Sequence, residues 1–245
     1  MNGNFEEIIL WSLLAGLTTL IGALIVFLLG IPSQRIMAGY LGFAAGVMTV
    51  VAFELLAQGY FVSDGHTLAS GVFFGIGFML LASTVIDAMQ RRHMRMGGYH
   101  KDSDYRFLRI GWTMVLGMAA HNIPEGMAVA AGDAANHQLG AMVLLAMAIH
   151  NIPEGIGIAA PLLRGKMSKG MIMLALIVIS LCEPLGTWMG IHIIGGSVDI
   201  IALALGFAAG AMLYIVTFEL LPISIRQHPA FASLGIVLGS LLFIL

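Results

Sequence analysis

Residues 41–56 read LGFAAGVMTVVAFELL, and residues 205–221 read LGFAAGAMLYIVTFELL. The two stretches share their first six residues, and FELL closes both, one position later in the second copy. Small residues at this spacing let helix backbones approach closely within a membrane. Six consecutive identities argue for duplication beyond that packing role.

Composition sets the environment of both copies. The chain has 245 residues, 59% of them hydrophobic and only 10% charged, with a mean hydropathy of +0.97. Soluble domains are roughly a quarter charged. Crossing the ~30 Å hydrocarbon core takes about 20 apolar residues as a helix, whereas barrel strands would be about 10 residues long and alternating. The sequence therefore predicts an all-α, polytopic membrane protein, a single transmembrane domain over residues 1–245. Breaks at charged, Pro and Gly clusters give eight transmembrane helices, at 8–30, 36–57, 67–89, 110–131, 139–161, 171–192, 200–221 and 230–245.

The 11 basic residues set the orientation. Arg35 falls in the first loop, Arg91, Arg92, Arg95, Lys101, Arg106 and Arg109 in the third, Arg164, Lys166 and Lys169 in the fifth, and Arg226 in the seventh. The second, fourth and sixth loops hold none, so the positive-inside rule turns both termini outward. The two LGFAAG helices then run in opposite directions, the mark of an inverted-repeat transporter, here in a 3+2+3 arrangement. Residues 90–109 form a basic cytoplasmic loop in which His93 and His100 are unclustered and Asp87 is placed to pair with Arg91. The outward loops carry Asp64, His66, Asp133, His137 and Asp199, a sparse set that can steer cations weakly. Glu6 and Glu7, with no nearby basic residue, do not form a signal-peptide n-region, so the first helix is expected to be kept. The lone Cys182 excludes an intrachain disulfide and a cysteine zinc cage, and reads as a small buried side chain.

The chemistry lies in MAAHNIPEGMAVAAG, residues 118–132, whose HNIPEG recurs at 150–155. His121, His150 and Glu183 fall at nearly one depth, near mid-membrane, where each ionisable group costs about 2.5–3.5 kcal/mol and marks an ion path or binding site. Within each motif His and Glu are four apart, about 40° around the helix, and Asn lies about 60° from the Glu on its other side. Spans four and five are antiparallel across a short turn, so His121, Asn122, Glu125, His150, Asn151 and Glu154 can meet. Pro124 and Pro153 each remove a backbone N–H and are expected to free the carbonyls of Ala120 and Ile149 as further oxygen ligands. A mixed imidazole, amide and carboxylate set suits borderline divalent ions such as Zn²⁺, Fe²⁺, Mn²⁺ or Cd²⁺. Most of the 17 methionines fit gap-filling. Met48 is kept as a candidate ligand because Met212 repeats it in span seven. Glu54 and Glu219, the FELL glutamates, read equally as interfacial side chains and as gate residues.

The paired HN-x-PEG helices, the SLCEPLG of residues 180–186 and eight spans with outward termini resemble the ZIP (Zrt/Irt-like) metal-transporter family, in its compact bacterial form. The resemblance implies a binuclear metal centre between spans four and five. His121, Glu125 and Glu154, with Met48 beside them, would form a primary site, and Asn122, Asn151 and Glu183 would join the two motif glutamates in a second. His150 is left open as ligand or neighbour. The resemblance also implies spans one, four, five and six moving as a bundle against two, three, seven and eight, homodimers, and a bacterial inner membrane. The third loop departs from the long His-rich loop of many eukaryotic members.

These readings make the chain a transporter moving zinc, or iron, manganese or cadmium, into the cytoplasm. Its metal is cargo rather than a catalytic cofactor, its partners are that ion and the bilayer, and no nucleic acid is expected. An intramembrane zinc hydrolase is the weaker alternative, since HNIPE is not H-E-x-x-H and an enzyme has no evident use for inverted repeats. A metal sensor would use the same ligands without transport.

Overall fold

Ser33, Asn136 and Ser168 each accept a backbone N–H from the first turn that follows, from Ile36, Gln138 and Met171. These N-caps start three of the long helices. The computed structural model describes residues 5–63, 65–96, 103–194 and 197–244, all of it helix, turn or short connection. In chain order the helices are α1 (Phe5–Leu17), α2 (Thr19–Leu29), α3 (Gln34–Val62), α4 (Gly65–Met96), α5 (Ser103–Ala135), α6 (His137–Arg164), α7 (Lys169–Ser180), α8 (Cys182–Ile194), α9 (Val198–Ile215), α10 (Leu221–Gln227) and α11 (Pro229–Ile244). Six stretches among the described residues are long and apolar enough to cross a membrane: Phe5–Leu29, Gln34–Val62, Gly65–Val85, His137–Arg164, Lys169–Ile193 and Val198–Gln227, with Pro229–Leu242 a shorter apolar helix. The chain is a multi-pass membrane protein.

The helices reach beyond the predicted spans. α4 continues through Met96 and α5 begins at Ser103, so both extend into the basic segment. His100, Lys101 and Asp64 lie outside the described residues, as do the side chains of Asp87, Arg91 and His93. α2 ends on Gly30, whose φ of 86° suits glycine at a helix C-terminus, with Pro32 just beyond.

The helix breaks do not fall at Pro124 or Pro153. α5 and α6 run unbroken through Pro124 and Pro153. In a membrane, packing neighbours let a helix tolerate the lost N–H, and here a close neighbour lies on each proline-bearing turn. The breaks instead separate α1 from α2 at Thr18 and α7 from α8 at Leu181. The Thr18 hydroxyl lies within reach of the Ala15 carbonyl (2.7 Å) and the Ala148 carbonyl (2.8 Å), tying the first break to α6.

The extra residue of the second FELL stretch has a structural counterpart. Val216–Leu220, between α9 and α10, forms a π-helical turn, whereas α3 stays α-helical through its own FELL. A single inserted residue is what such a turn accommodates. Because α3 absorbs none, Glu219 and Glu54 hold different positions on their helices.

Glycines bring the helices together in matched sets. In α3, a Cβ at Gly42 or Gly46 would fall on the carbonyls of Ala232 and Ile236 in α11; in α9, one at Gly206 or Gly210 would fall on those of Leu68 and Val72 in α4. Gly235 and Gly239 of α11 meet Gly39 and Phe43, while Gly71 and Gly75 of α4 meet Leu203 and Phe207. Each α3–α11 contact becomes an α9–α4 contact when residues of α3 move forward, and those of α11 back, by one constant number of positions. The same shift carries Thr19 onto Glu183 and Gly22 onto Gly186.

Candidate metal centre

α5 and α6 bring the two HNIPEG motifs into the interior. Glu125 and Glu183 are fully buried, and Asn122, His150, Asn151 and Glu154 are 1–2% exposed. The helices can crowd this region because the motif glycines lack Cβ atoms. A Cβ at Gly126 would meet the Glu183 carbonyl, and one at Gly186 would meet Ile123. On the other motif, a Cβ at Gly155 would meet the Thr19 carbonyl, and one at Gly22 would meet Ile152. α5 is thus clasped to α8, and α6 to α2, through equivalent residues.

Within this frame the polar groups converge as the sequence predicted. His150 Nε2 stands 3.3 Å from Glu125 Oε1, across the α5–α6 interface. The Asn151 amide donates to Glu183 Oε1 at 2.6 Å and to the Ala15 carbonyl at 3.1 Å. Asn122 donates to the Ile179 carbonyl at 3.5 Å, the equivalent place beside the other break. Glu125, Glu154 and Glu183 bring three carboxylates together, and no Lys or Arg is found among the described buried residues. Several ligand-type atoms have no hydrogen-bond partner among the described residues: Asn122 Oδ1, Asn151 Oδ1, His150 Nδ1 and Glu183 Oε2. Each such buried atom costs about 1–3 kcal/mol, a cost that a bound cation would offset.

The arrangement is loose. Among the described residues no three His, Cys, Asp or Glu side chains close tightly enough to hold an ion in this conformation. The side chain of His121 lies outside the described residues; its backbone is one turn before Glu125 on α5. Met48 is fully buried in α3, which packs on α6, and Met212 is almost equally buried in α9. Glu54 accepts from Gln58 at 3.1 Å on its own helix. Glu219 faces α5, with its Oε2 3.8 Å from where a Cβ at Gly117 would lie.

Cys182 departs from its reading as a buried side chain: it is half-buried, with its thiol over the Val178 carbonyl at 4.0 Å. It follows directly on the Leu181 break, where the chain turns outward. Sequence reasoning missed a buried hydroxyl network behind the site. The Thr187 hydroxyl lies within reach of Ser12 Oγ (2.8 Å) and of the Gly126 and Glu183 carbonyls (both 3.1 Å). Ser180 reaches the Gly16 carbonyl at 2.8 Å. The signal was present, since Thr187 lies four residues after Glu183 and one helical turn places it on the same face.

The chain is a multi-pass helical membrane protein whose interior holds buried carboxylates, imidazole and amides, with no Lys or Arg among its described buried groups. Residues 88–245 match the family described as "ZIP Zinc transporter". The chain is 34% identical to the zinc transporter ZupT of Chlorobium luteolum, over 89% of this chain and 88% of that protein. It is also 34% identical to the zinc transporter ZIPB of Bordetella bronchiseptica (90% and 74%) and 32% identical to the ZupT of Chlorobium limicola (96% and 95%). The chain belongs to the ZIP family of zinc transporters.

Proposed function

We propose that this protein carries a divalent metal ion, zinc foremost, across a bacterial inner membrane into the cytoplasm. The ion rests on a mid-membrane site of His121, Asn122, Glu125, His150, Asn151, Glu154 and Glu183, with Met48 beside it. The observation that carries this reading is the buried set of ligand-type atoms, several without a hydrogen-bond partner among the described residues. Glu125 and Glu154, one from each motif, bridge two metal positions in this proposal, with His121 serving the first and Asn122, Asn151 and Glu183 the second. Iron, manganese and cadmium fit the same donors. Family membership favours carriage over the hydrolase alternative.

The matched glycine contacts support eight spans in a 3+2+3 inverted repeat. In that arrangement α1 and α2 together form the first span, α7 and α8 the sixth, and α9, the π turn and α10 the seventh. Both termini face outward on the charge pattern, and two copies pair as a homodimer, as the family resemblance implies. A cavity of about 520 Å³ opens at the end bearing Arg164, between α3 and α10 on one side and α5 and α6 on the other. Leu41 and Gly157 line it. In the cycle that the family resemblance implies, the bundle of spans one, four, five and six slides against the rest.

The test is zinc influx into dye-loaded liposomes containing the purified protein. Glu154→Ala and His121→Ala should abolish it; undiminished flux in both would remove the site assignment. Competition by iron, manganese and cadmium in the same assay ranks the cargo.

A further inference from the structure

α1 and α6 separate above the Thr18 break. Below it, Gly22 and Gly155 hold α2 against α6 at backbone contact. Above it, the two helices enclose a cleft of about 510 Å³. Thr18, held by its hydroxyl to the Ala148 carbonyl, forms the floor. Trp11, Leu14, Leu144 and Leu145 form apolar walls, and Trp11, Leu14 and Leu145 are each about half exposed. Glu7, Asp133 and His137 stand at the mouth, and no Lys or Arg among the described residues lines the cleft.

We propose that this cleft is a headgroup-selective lipid site for a phospholipid bearing a primary ammonium group. Exposed apolar walls within a bilayer take an acyl chain, because water there would have no polar partners. The mouth then decides the headgroup. Glu7 accepts only a long bond from Trp11 Nε1 (3.4 Å), and Asp133 meets His137 Nδ1 at 2.5 Å, so both carboxylates keep lone pairs for an outside donor. A primary ammonium donates three charge-assisted hydrogen bonds, a quaternary ammonium none, and an anionic head is repelled. The Trp11 ring adds an attractive face for the cation at the membrane interface. Ala15, whose carbonyl holds Asn151, also lines this cleft, so a seated lipid would brace the wall behind the proposed metal centre.

The inference rests on membrane embedding and stands apart from the transport reading. The full-length protein is presented in micelles with equal amounts of dioleoyl phosphatidylethanolamine and dioleoyl phosphatidylcholine, and retained lipid is counted by native mass spectrometry. Wild type should retain the ethanolamine lipid about fivefold better, roughly what one exposed charge-assisted bond is worth. Glu7→Gln with Asp133→Asn should erase that preference. Ala141→Trp, which fills the wall and leaves the carboxylates in place, should lower retention of both lipids. Equal retention by wild type, a preference untouched by the carboxylate variants, or displacement of the ethanolamine lipid by added zinc would each overturn the proposal.

Discussion

Asn151 on α6 and Glu183 on α8 are joined side chain to side chain at 2.6 Å, both fully enclosed. The same amide also holds the Ala15 carbonyl, so one side chain fixes a carboxylate and the end of α1 together. Asn151→Ala would leave an oxygen on each without its donor. Thermal melting should report a loss of about 1–3 kcal/mol. Zinc affinity, measured by calorimetry, should fall about 10- to 100-fold, as when an orienting group is lost behind a metal ligand. Unchanged affinity with lowered stability would make Asn151 a purely structural residue.

Gly126 and Gly186 clasp α5 to α8 at backbone distance. Gly126→Ala or Gly186→Ala should destabilise the protein by about 1–3 kcal/mol through overpacking and reduce zinc uptake. Gly77, with nothing near its missing Cβ, is the control. Gly77→Ala should be neutral, or stabilising by up to about 1 kcal/mol from helix propensity. Equal melting temperatures for all three variants would contradict the close approach.

The helical class, the membrane setting and the convergence of the two HNIPEG motifs were legible because apolar length and i,i+4 spacing are local properties of sequence. The breaks at Thr18 and Leu181 were not foreseen. The break at Thr18 has no proline beside it and is held by a hydrogen bond to Ala148, far along the chain; at Leu181 the signal lay in Pro184, which removes the N–H that would reach the Ser180 carbonyl, and it was not read as a break. At Pro124 and Pro153 a neighbour packed at glycine distance keeps the helix running, although each proline still lacks its N–H. Of the candidate site, Asn122, Glu125, His150, Asn151 and Glu154 were marked by the repeated motif and Glu183 by its depth, whereas Ser12, which meets Thr187 from a distant helix, carried no local signal.

Zinc binding should weaken as the pH is lowered from about 8 to 5, because imidazole and carboxylate ligands bind metal only when deprotonated and protons compete for them. The sign is fixed: acid removes affinity and alkali restores it. Calorimetry across that range checks it, and a flat affinity would argue against His150 and the glutamates as ligands.

The π turn at Val216–Leu220 sets how Glu219 faces α5. Deleting Val216 makes the second FELL stretch the same length as the first. The turn should revert to α-helix, and residues beyond it should rotate by about 100° relative to α9. The variant should fold with a lowered melting temperature and lose most of its zinc uptake in liposomes. Uptake at the wild-type rate would show the bulge to be without consequence for transport.

Thr19 and Glu183 occupy matching positions in the two halves of the glycine-paired framework, yet one is a hydroxyl bonded to the Gly16 carbonyl and the other a carboxylate. On the duplicated reading proposed above, an ancestor with identical halves would have offered both groups or neither. The scaffold kept its mirror-like economy while its charge became lopsided. On the proposed reading, a cation at the centre would sit in a field with a built-in direction, lopsided toward α8, and its two proposed positions would be unequal.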